Sequence, residues 1–176
     1  AIEWDKATFK PLREVPLQGQ GWGLCRSGDR LIRSDGSAIL HFHSLDDMHE
    51  TGSLPVTYNG AQAVGLNSLN CSDNQVWANV FPTNVIAQID ATTGWVQAVV
   101  QADGLLEDPH QADIDVLNGI ARLGDGHRPI ERHDRRPGVR FEPLVQDDDL
   151  VPVDLILGLQ RGDGGLQDVR PGGRPQ

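Results

Sequence analysis

The chain repeats itself. Leu31-Ile32-Arg33-Ser34, a turn, and Ile39-Leu40-His41-Phe42 recur as Val76-Trp77-Ala78-Asn79, a turn, and Val85-Ile86-Ala87-Gln88-Ile89. A polar turn recurs with them, as Asp5-Lys6-Ala7-Thr8, Asp46-Asp47-Met48 and Asp90-Ala91-Thr92. A period of roughly 40 to 45 residues with about four strands per unit is the spacing of β-propeller blades, which stack because no blade covers its own faces. Residues 1–121 supply at most about two and a half such units, whereas propellers close with at least four blades. The expected fold is all-β, a partial β-propeller or piece of a ring.

Local signals agree with that period. The chain has 20 glycines and 11 prolines in 176 residues, which disfavours a helical bundle and favours short elements between turns. Runs such as Gly21 to Cys25, Leu31 to Ser34, Ala38 to His43, Leu54 to Thr57, Val76 to Phe81, Val85 to Ile89 and Trp95 to Val100 read as strands. Asp35-Gly36 tolerates positive φ and suits a tight hairpin. Composition changes near Ala121: all 4 tryptophans, the tyrosine and three of the 4 phenylalanines precede it. Arginine, glycine, aspartate and proline dominate the C-terminal remainder, with Leu155-Ile156-Leu157 the one short apolar run. Residues 1–121 are therefore expected to form the propeller portion. Residues 122–176 are expected to be an irregular tail, too poor in apolar area to offset chain entropy of about 1 to 2 kcal/mol per residue.

Charge and cysteine count narrow the partners. A net charge of -10 repels phosphate backbones and argues against nucleic acid. No apolar run approaches the roughly 18 to 20 residues of a membrane span. The two cysteines, Cys25 and Cys71, are too few for a disulfide framework or a structural zinc site and read as small apolar fillers. His41 and His43 alternate along a strand near Asp46, Asp47 and His49; with no fourth ligand at sensible spacing, polar residues on an exposed strand explain them without a metal. Asp35 reads as a turn residue. Asp147-Asp148-Asp149 reads as a solvated run, and Gly162-Asp163-Gly164-Gly165 lacks the context of a phosphate loop.

Four stretches, in order and spacing, resemble one family. Gly21-Trp22-Gly23-Leu24, Ser34-Asp35-Gly36-Ser37, Leu66-Asn67 running into Val76-Trp77-Ala78-Asn79-Val80, and Asp115-Val116-Leu117-Asn118-Gly119-Ile120-Ala121 resemble the plant and bacterial glutamine cyclotransferases. The resemblance implies a five-bladed propeller that converts an N-terminal glutamine to pyroglutamate with loss of ammonia, without the catalytic zinc of the unrelated animal enzymes and with no cofactor. It also implies that the early blades, carrying a Gln, the Glu general acid/base and a further Trp, would precede Ala1. After Leu-Asn the family usually has Glu-Leu-Glu, where Ser68, Leu69 and Asn70 stand here. Phe81 replaces a usual Trp, and the family's Thr-Gly-Lys and Trp-Pro have no counterpart beyond Ala121, as an altered reading frame would give.

Cyclisation needs the neutral α-amine to attack the side-chain amide carbon while a carboxylic acid moves a proton to the departing ammonia. The pocket must also hold the substrate folded on itself, which flat aromatic walls and a fixed carboxamide can do. By resemblance, Trp22 is a stacking wall and Asn67 a hydrogen-bonding residue for substrate. Phe81 keeps an aromatic face but lacks the indole N–H. Taken alone, Trp22 would read as a core residue and Asn67 as a turn residue; Trp77 and Trp95 are expected in the core. The substrate implied is a peptide or protein with an N-terminal glutamine, and the resemblance leans towards a secreted or periplasmic protein. With no catalytic carboxylate assigned, the chain is expected to bind without turnover. Rival readings are a non-catalytic propeller binding module and a metal-dependent propeller lactonase.

Overall fold

The computed structural model describes residues 1–103, 114–122, 140–143, 155–161 and 166–168. Every regular element among them is a β-strand, and no helix there is long and apolar enough to cross a membrane. Strands β1 (Ile2–Trp4) and β2 (Pro11–Glu14) form an exposed hairpin. Strands β3 (Gly23–Ser27), β4 (Arg30–Ser34), β5 (Ile39–Ser44) and β6 (Glu50–Pro55) make a four-stranded antiparallel sheet in chain order. A short hairpin of β7 (Thr57–Tyr58) and β8 (Ala61–Gln62) leads to a second sheet of the same design. It is built of β9 (Leu66–Ser72), β10 (Gln75–Val80), β11 (Val85–Asp90) and β12 (Val96–Gln101).

These sheets are two blades of a partial propeller. Their first strands, β3 and β9, lie side by side, and β9 is flanked on its other side by β13 (Ile114–Arg122), the first strand of a third sheet. Within 122–176, β15 (Leu155–Arg161) pairs with β13 and with β16 (Leu166–Asp168), while β14 (Arg140–Pro143) adds to the outer edge of β12. The rest of the expected irregular tail, including Asp147-Asp148-Asp149 and Gly162-Asp163-Gly164-Gly165, lies outside the described residues.

Alternation along the strands builds the core between the two blades. Ile32, Leu40 and Val56 of the first blade meet Leu66, Leu69, Val76, Ala78, Ala87 and Ile89 of the second, all buried. At about 1.5 to 3 kcal/mol for each fully buried Val, Leu or Ile, this contact outweighs any single polar interaction in the fold. The recurring polar turns do what their residue types suggest. Asp5 Oδ1 accepts from the amides of Ala7 and Thr8, and Asp90 Oδ1 from those of Thr92 and Thr93.

Three expectations are corrected. Trp77 is buried as expected, but Trp95 is 67 % exposed. It stands at the turn entering β12, where Val96 takes the inward position instead. His43 is buried rather than on an open strand face: it shares a face of the sheet with Arg33, whose Nε–H bonds its Nε2. Cys25 and Cys71 are not separate fillers: they form a disulfide with a Cα–Cα distance of 5.5 Å. Their separation in sequence hid a spatial adjacency, since Cys25 lies on β3 and Cys71 on the neighbouring β9.

Closing a loop whose ends are 46 residues apart stabilises the fold by about 4 kcal/mol in the chain-entropy picture. Urea unfolding with and without reductant should show a loss of that order on reduction. A midpoint indifferent to reductant would mean the bond contributes nothing to holding the two blades together.

Candidate functional site

The site is built where β3 and β9 approach each other. Glycine is required at position 23: a Cβ there would lie 2.3 Å from the Asn67 carbonyl oxygen and 2.9 Å from the Leu69 nitrogen. The Ser34 hydroxyl, paired across β4 with Gly23, donates to that same carbonyl at 2.6 Å. A backbone ladder continues across the seam. Trp22 N–H donates to Ser34 O, Gly36 N–H to Leu66 O, Gly65 N–H to Gly36 O and Phe81 N–H to Gly65 O. Trp22 and Phe81, from different blades, are thereby held at the same end of their sheets.

Their rings meet edge to face, with centroids 5.7 Å apart and planes at 88°. Each keeps a partly open surface, 36 % exposed for Trp22 and 40 % for Phe81. The indole lies over Gly36, where a Cβ would fall 2.7 Å from both Cη2 and Cζ3. Its Nε1–H donates to Gln20 Oε1 at 2.7 Å. Asn67 is a strand residue, not a turn residue; it sits on β9 at a register irregularity opposite Asn79. It is buried, its carbonyl is engaged by Ser34, and its carboxamide makes no hydrogen bond within the described residues. All three residues singled out in sequence thus stand on one seam, although Asn67 is joined to the aromatics through backbone rather than by a side-chain contact.

Behind the indole runs a polar network that the sequence did not reveal. Asp35 Oδ1 accepts from the amide and hydroxyl of Ser37, as its turn position suggests. Asp35 Oδ2 lies 3.1 Å from His41 Nε2, and His41 Nδ1 lies 3.1 Å from Glu50 Oε1. Burial pushes the Asp35 carboxyl up, but the Ser37 and His41 interactions together hold it below the ordinary value of 3.8. The histidines that suggested a metal are thus each engaged with protein groups: His41 with two carboxylates, His43 with Arg33 and the Met48 carbonyl, and exposed His49 with Asp47. Asn118, given no role from sequence, accepts from the Ser68 hydroxyl at 2.5 Å and ties β9 to β13. Gln20 and Arg33 were also missed; the only signal was Gln20 standing two residues before Trp22.

A cleft of about 630 Å³ opens on the far side of Trp22, lined by Glu14, Leu17, Leu24, Arg33 and Met48 among others. Trp22 and Gly23 of the seam line it, whereas Asn67 and Phe81 do not.

What fold and site define is a propeller-type protein with an aromatic pair, Trp22 and Phe81, at the seam between two successive blades. The family model described as glutamine cyclotransferase matches residues 1–128, and the chain belongs to that family. The glutaminyl-peptide cyclotransferase of Arabidopsis thaliana is 39 % identical over 112 residues, covering 61 % of this chain and 35 % of the relative. The crystal structure of Myxococcus xanthus glutaminyl cyclase superposes with a TM-score of 0.57 at 26 % identity, covering 77 % of this chain and 61 % of that one. The chain spans about a third of the curated relative's length and under two thirds of the solved one.

Two outcomes test this geometry. Gly36→Ala and Gly28→Ala both place an L side chain at positive φ, +85° and +59°, but only the first meets the indole, since nothing lies within 4 Å at Gly28. Gly36→Ala should therefore cost about 1 to 3 kcal/mol more, by overpacking, and change the near-ultraviolet tryptophan signal. Equal costs for the two would remove the indole from Gly36. The Asp35 contribution, coming from a lowered carboxyl, should be fully present above the ordinary value of 3.8 and vanish as pH falls through the lower folded value. Urea midpoints of wild type and Asp35→Ala should converge over that acidic range and stay apart above it; a constant gap would contradict the assignment.

Proposed function

We propose that this chain carries the substrate-holding part of a glutaminyl-peptide cyclotransferase, the enzyme class that converts N-terminal glutamine to pyroglutamate and releases ammonia. In that reaction the α-nitrogen bonds to the side-chain amide carbon, the bond from that carbon to the amide nitrogen breaks, and a proton passes from the amine to the leaving nitrogen. Trp22 and Phe81 would form two faces against the folded-back glutamine, and the Asn67 carboxamide would bond its amide or backbone groups. The observation that supports this reading is the meeting of two half-open rings, 5.7 Å apart, at the seam on which Asn67, 9 % exposed, also stands.

Proton transfer is a different matter. A shuttle acid working near neutrality needs its pKa raised, as burial in an apolar pocket does. Asp5, Asp35, Asp47 and Glu50 are all held below ordinary carboxylate values, Asp47 at about 2 through its bond from His49. These four carboxylates are committed to turns and histidines, which supports a binding role rather than proton transfer for them. The non-catalytic module shares this feature, and the ligand separates the two readings. The Cys25–Cys71 bond supports an oxidising, secreted or periplasmic setting.

Isothermal titration with a glutamine-initiated peptide amide should show saturable binding, weakened about tenfold, or 1.4 kcal/mol, by Trp22→Ala and by Asn67→Ala. A pyroglutamate-initiated peptide should bind less well, and ammonia release should not exceed the buffer rate. Turnover by the isolated chain would overturn the division between holding and proton transfer. Failure to distinguish the glutamine peptide from its cyclised form would overturn the substrate assignment.

A further inference from the structure

Arg33 and His43 are the only buried side chains among the described residues that can carry a positive charge. Their contacts lead to Trp22. Arg33 Nε donates to His43 Nε2 at 3.1 Å, its Nη1 donates to the Gln20 carbonyl, and its Nη2 lies 3.8 Å from Glu50 Oε2. His43 Nδ1 lies 2.8 Å from the Met48 carbonyl. A carbonyl only accepts, so Nδ1 carries the hydrogen, and Arg33 only donates, so Nε2 presents its lone pair. One neutral tautomer satisfies both bonds. Gln20 then joins the two ends: its backbone oxygen is held by Arg33, and its side-chain oxygen holds the Trp22 indole N–H at 2.7 Å.

We propose that Gln20 and Arg33 are positioning residues for the Trp22 indole, and that neutral His43 sets Arg33 by accepting its Nε–H. The role of Trp22 as a substrate wall rests on the cyclotransferase function proposed for the seam; the positioning itself does not. The mechanism is steric and directional. Gly36 lies beneath the ring and Phe81 at its edge, neither of which bonds the N–H, and the bond to Gln20 fixes where that N–H points. Gln20 is exposed, so its backbone would wander without an anchor, and the anchor is a guanidinium on a residue only 3 % exposed.

Protonation of His43 breaks this arrangement. Nε2 would then bear a hydrogen aimed at the Arg33 Nε–H, setting donor against donor and cation against cation. The other groups around His43 do not prevent that conflict. From β6, Glu50 pairs across to His43 and also contacts Arg33 and His41; its carboxyl is held low, chiefly by the His41 bond and in smaller part by the charges of His43 and Arg33, but it offers no acceptor between Arg33 Nε and His43 Nε2. His41, on the same strand, is held between Asp35 and Glu50. In the loop before β6, Asp47 and His49 engage each other, and Met48 offers only its carbonyl.

The indole N–H resonances of the nitrogen-labelled full chain test this directly, with Trp22 assigned by Trp22→Phe. In wild type the Trp22 signal should move with the midpoint at which the His43 ring signal titrates, while the Trp77 signal does not follow it. His43→Gln keeps an acceptor that cannot titrate and should abolish the pH response; His43→Leu removes the acceptor and should displace the Trp22 signal at every pH. Gln20→Leu should speed solvent exchange of that N–H about tenfold and weaken glutamine-peptide binding about three- to tenfold, the value of one hydrogen bond. A Trp22 signal that stays flat while His43 titrates, or ignores Gln20→Leu, overturns the proposal. The titration needs no substitution, so a variant that fails to fold leaves it decisive. Absence of peptide binding in wild type would sink the substrate reading alone, since the resonances still decide the positioning.

Discussion

The contact on which this structure depends is the close passage of β3 against β9. Gly23 sits against the Asn67 carbonyl, the Ser34 hydroxyl bonds that oxygen, and Cys25–Cys71 locks the same two strands further along. Each has the same geometric consequence, because innermost strands of successive blades must approach more closely than side chains ordinarily permit. A methyl group at position 23 would push the blades apart and separate the ladder that carries Trp22 and Phe81. Packing and site formation are therefore one event: the seam that buries Leu66 also delivers Asn67.

The second blade is asymmetric. Its Val76, Ala78, Ala87 and Ile89 face the first blade in a continuous apolar layer. The alternating positions Asn70, Trp77 and Gln88 lie in register across β9, β10 and β11, with Asn79 two residues beyond Trp77. Buried polar atoms of Asn70, Asn79 and Gln88 have no hydrogen-bond partner among the described residues, each a cost on the order of 1 to 3 kcal/mol. Between the first two blades the apolar layer and the disulfide coincide. On the other side, β13 is joined to β9 through the polar Ser68 to Asn118 bond.

How much of the fold is legible in sequence depends on which force shapes each element. Strands β4, β5, β10, β11 and β12 were legible because alternation and turn residues are written locally, and the echo at about 45 residues gave the blades. Strand β9 was not, since Leu-Asn-Ser-Leu-Asn-Cys-Ser has little strand propensity and is held by neighbours on both sides. The disulfide was invisible for the same reason: sequence separation says nothing of two inner strands that the ring geometry places together. Trp22, Asn67 and Phe81 came from resemblance, and the structure adds what resemblance could not: Trp22 and Phe81 share one backbone ladder, to which the Ser34 hydroxyl ties the Asn67 carbonyl. Arg33 and His43 look like surface residues of alternating strands; only the fold shows them buried against each other.

The function proposed for the seam would separate two tasks that a compact active site combines. Holding a folded-back glutamine would require rigid, weakly polar surfaces, and the backbones of Trp22 and Phe81 are fixed by interblade bonds. Moving a proton requires an acid whose neutral form is favoured, which calls for burial without compensating donors. Here every compensating donor is present: Ser37 and His41 for Asp35, His41 for Glu50, His49 for Asp47. The same hydrogen bonds that stiffen the turn beneath the indole make those carboxylates poor acids for catalysis. Bracing a turn and serving as a shuttle are therefore opposed demands on one carboxylate, and Asp35, which braces the turn beneath the indole, meets the first.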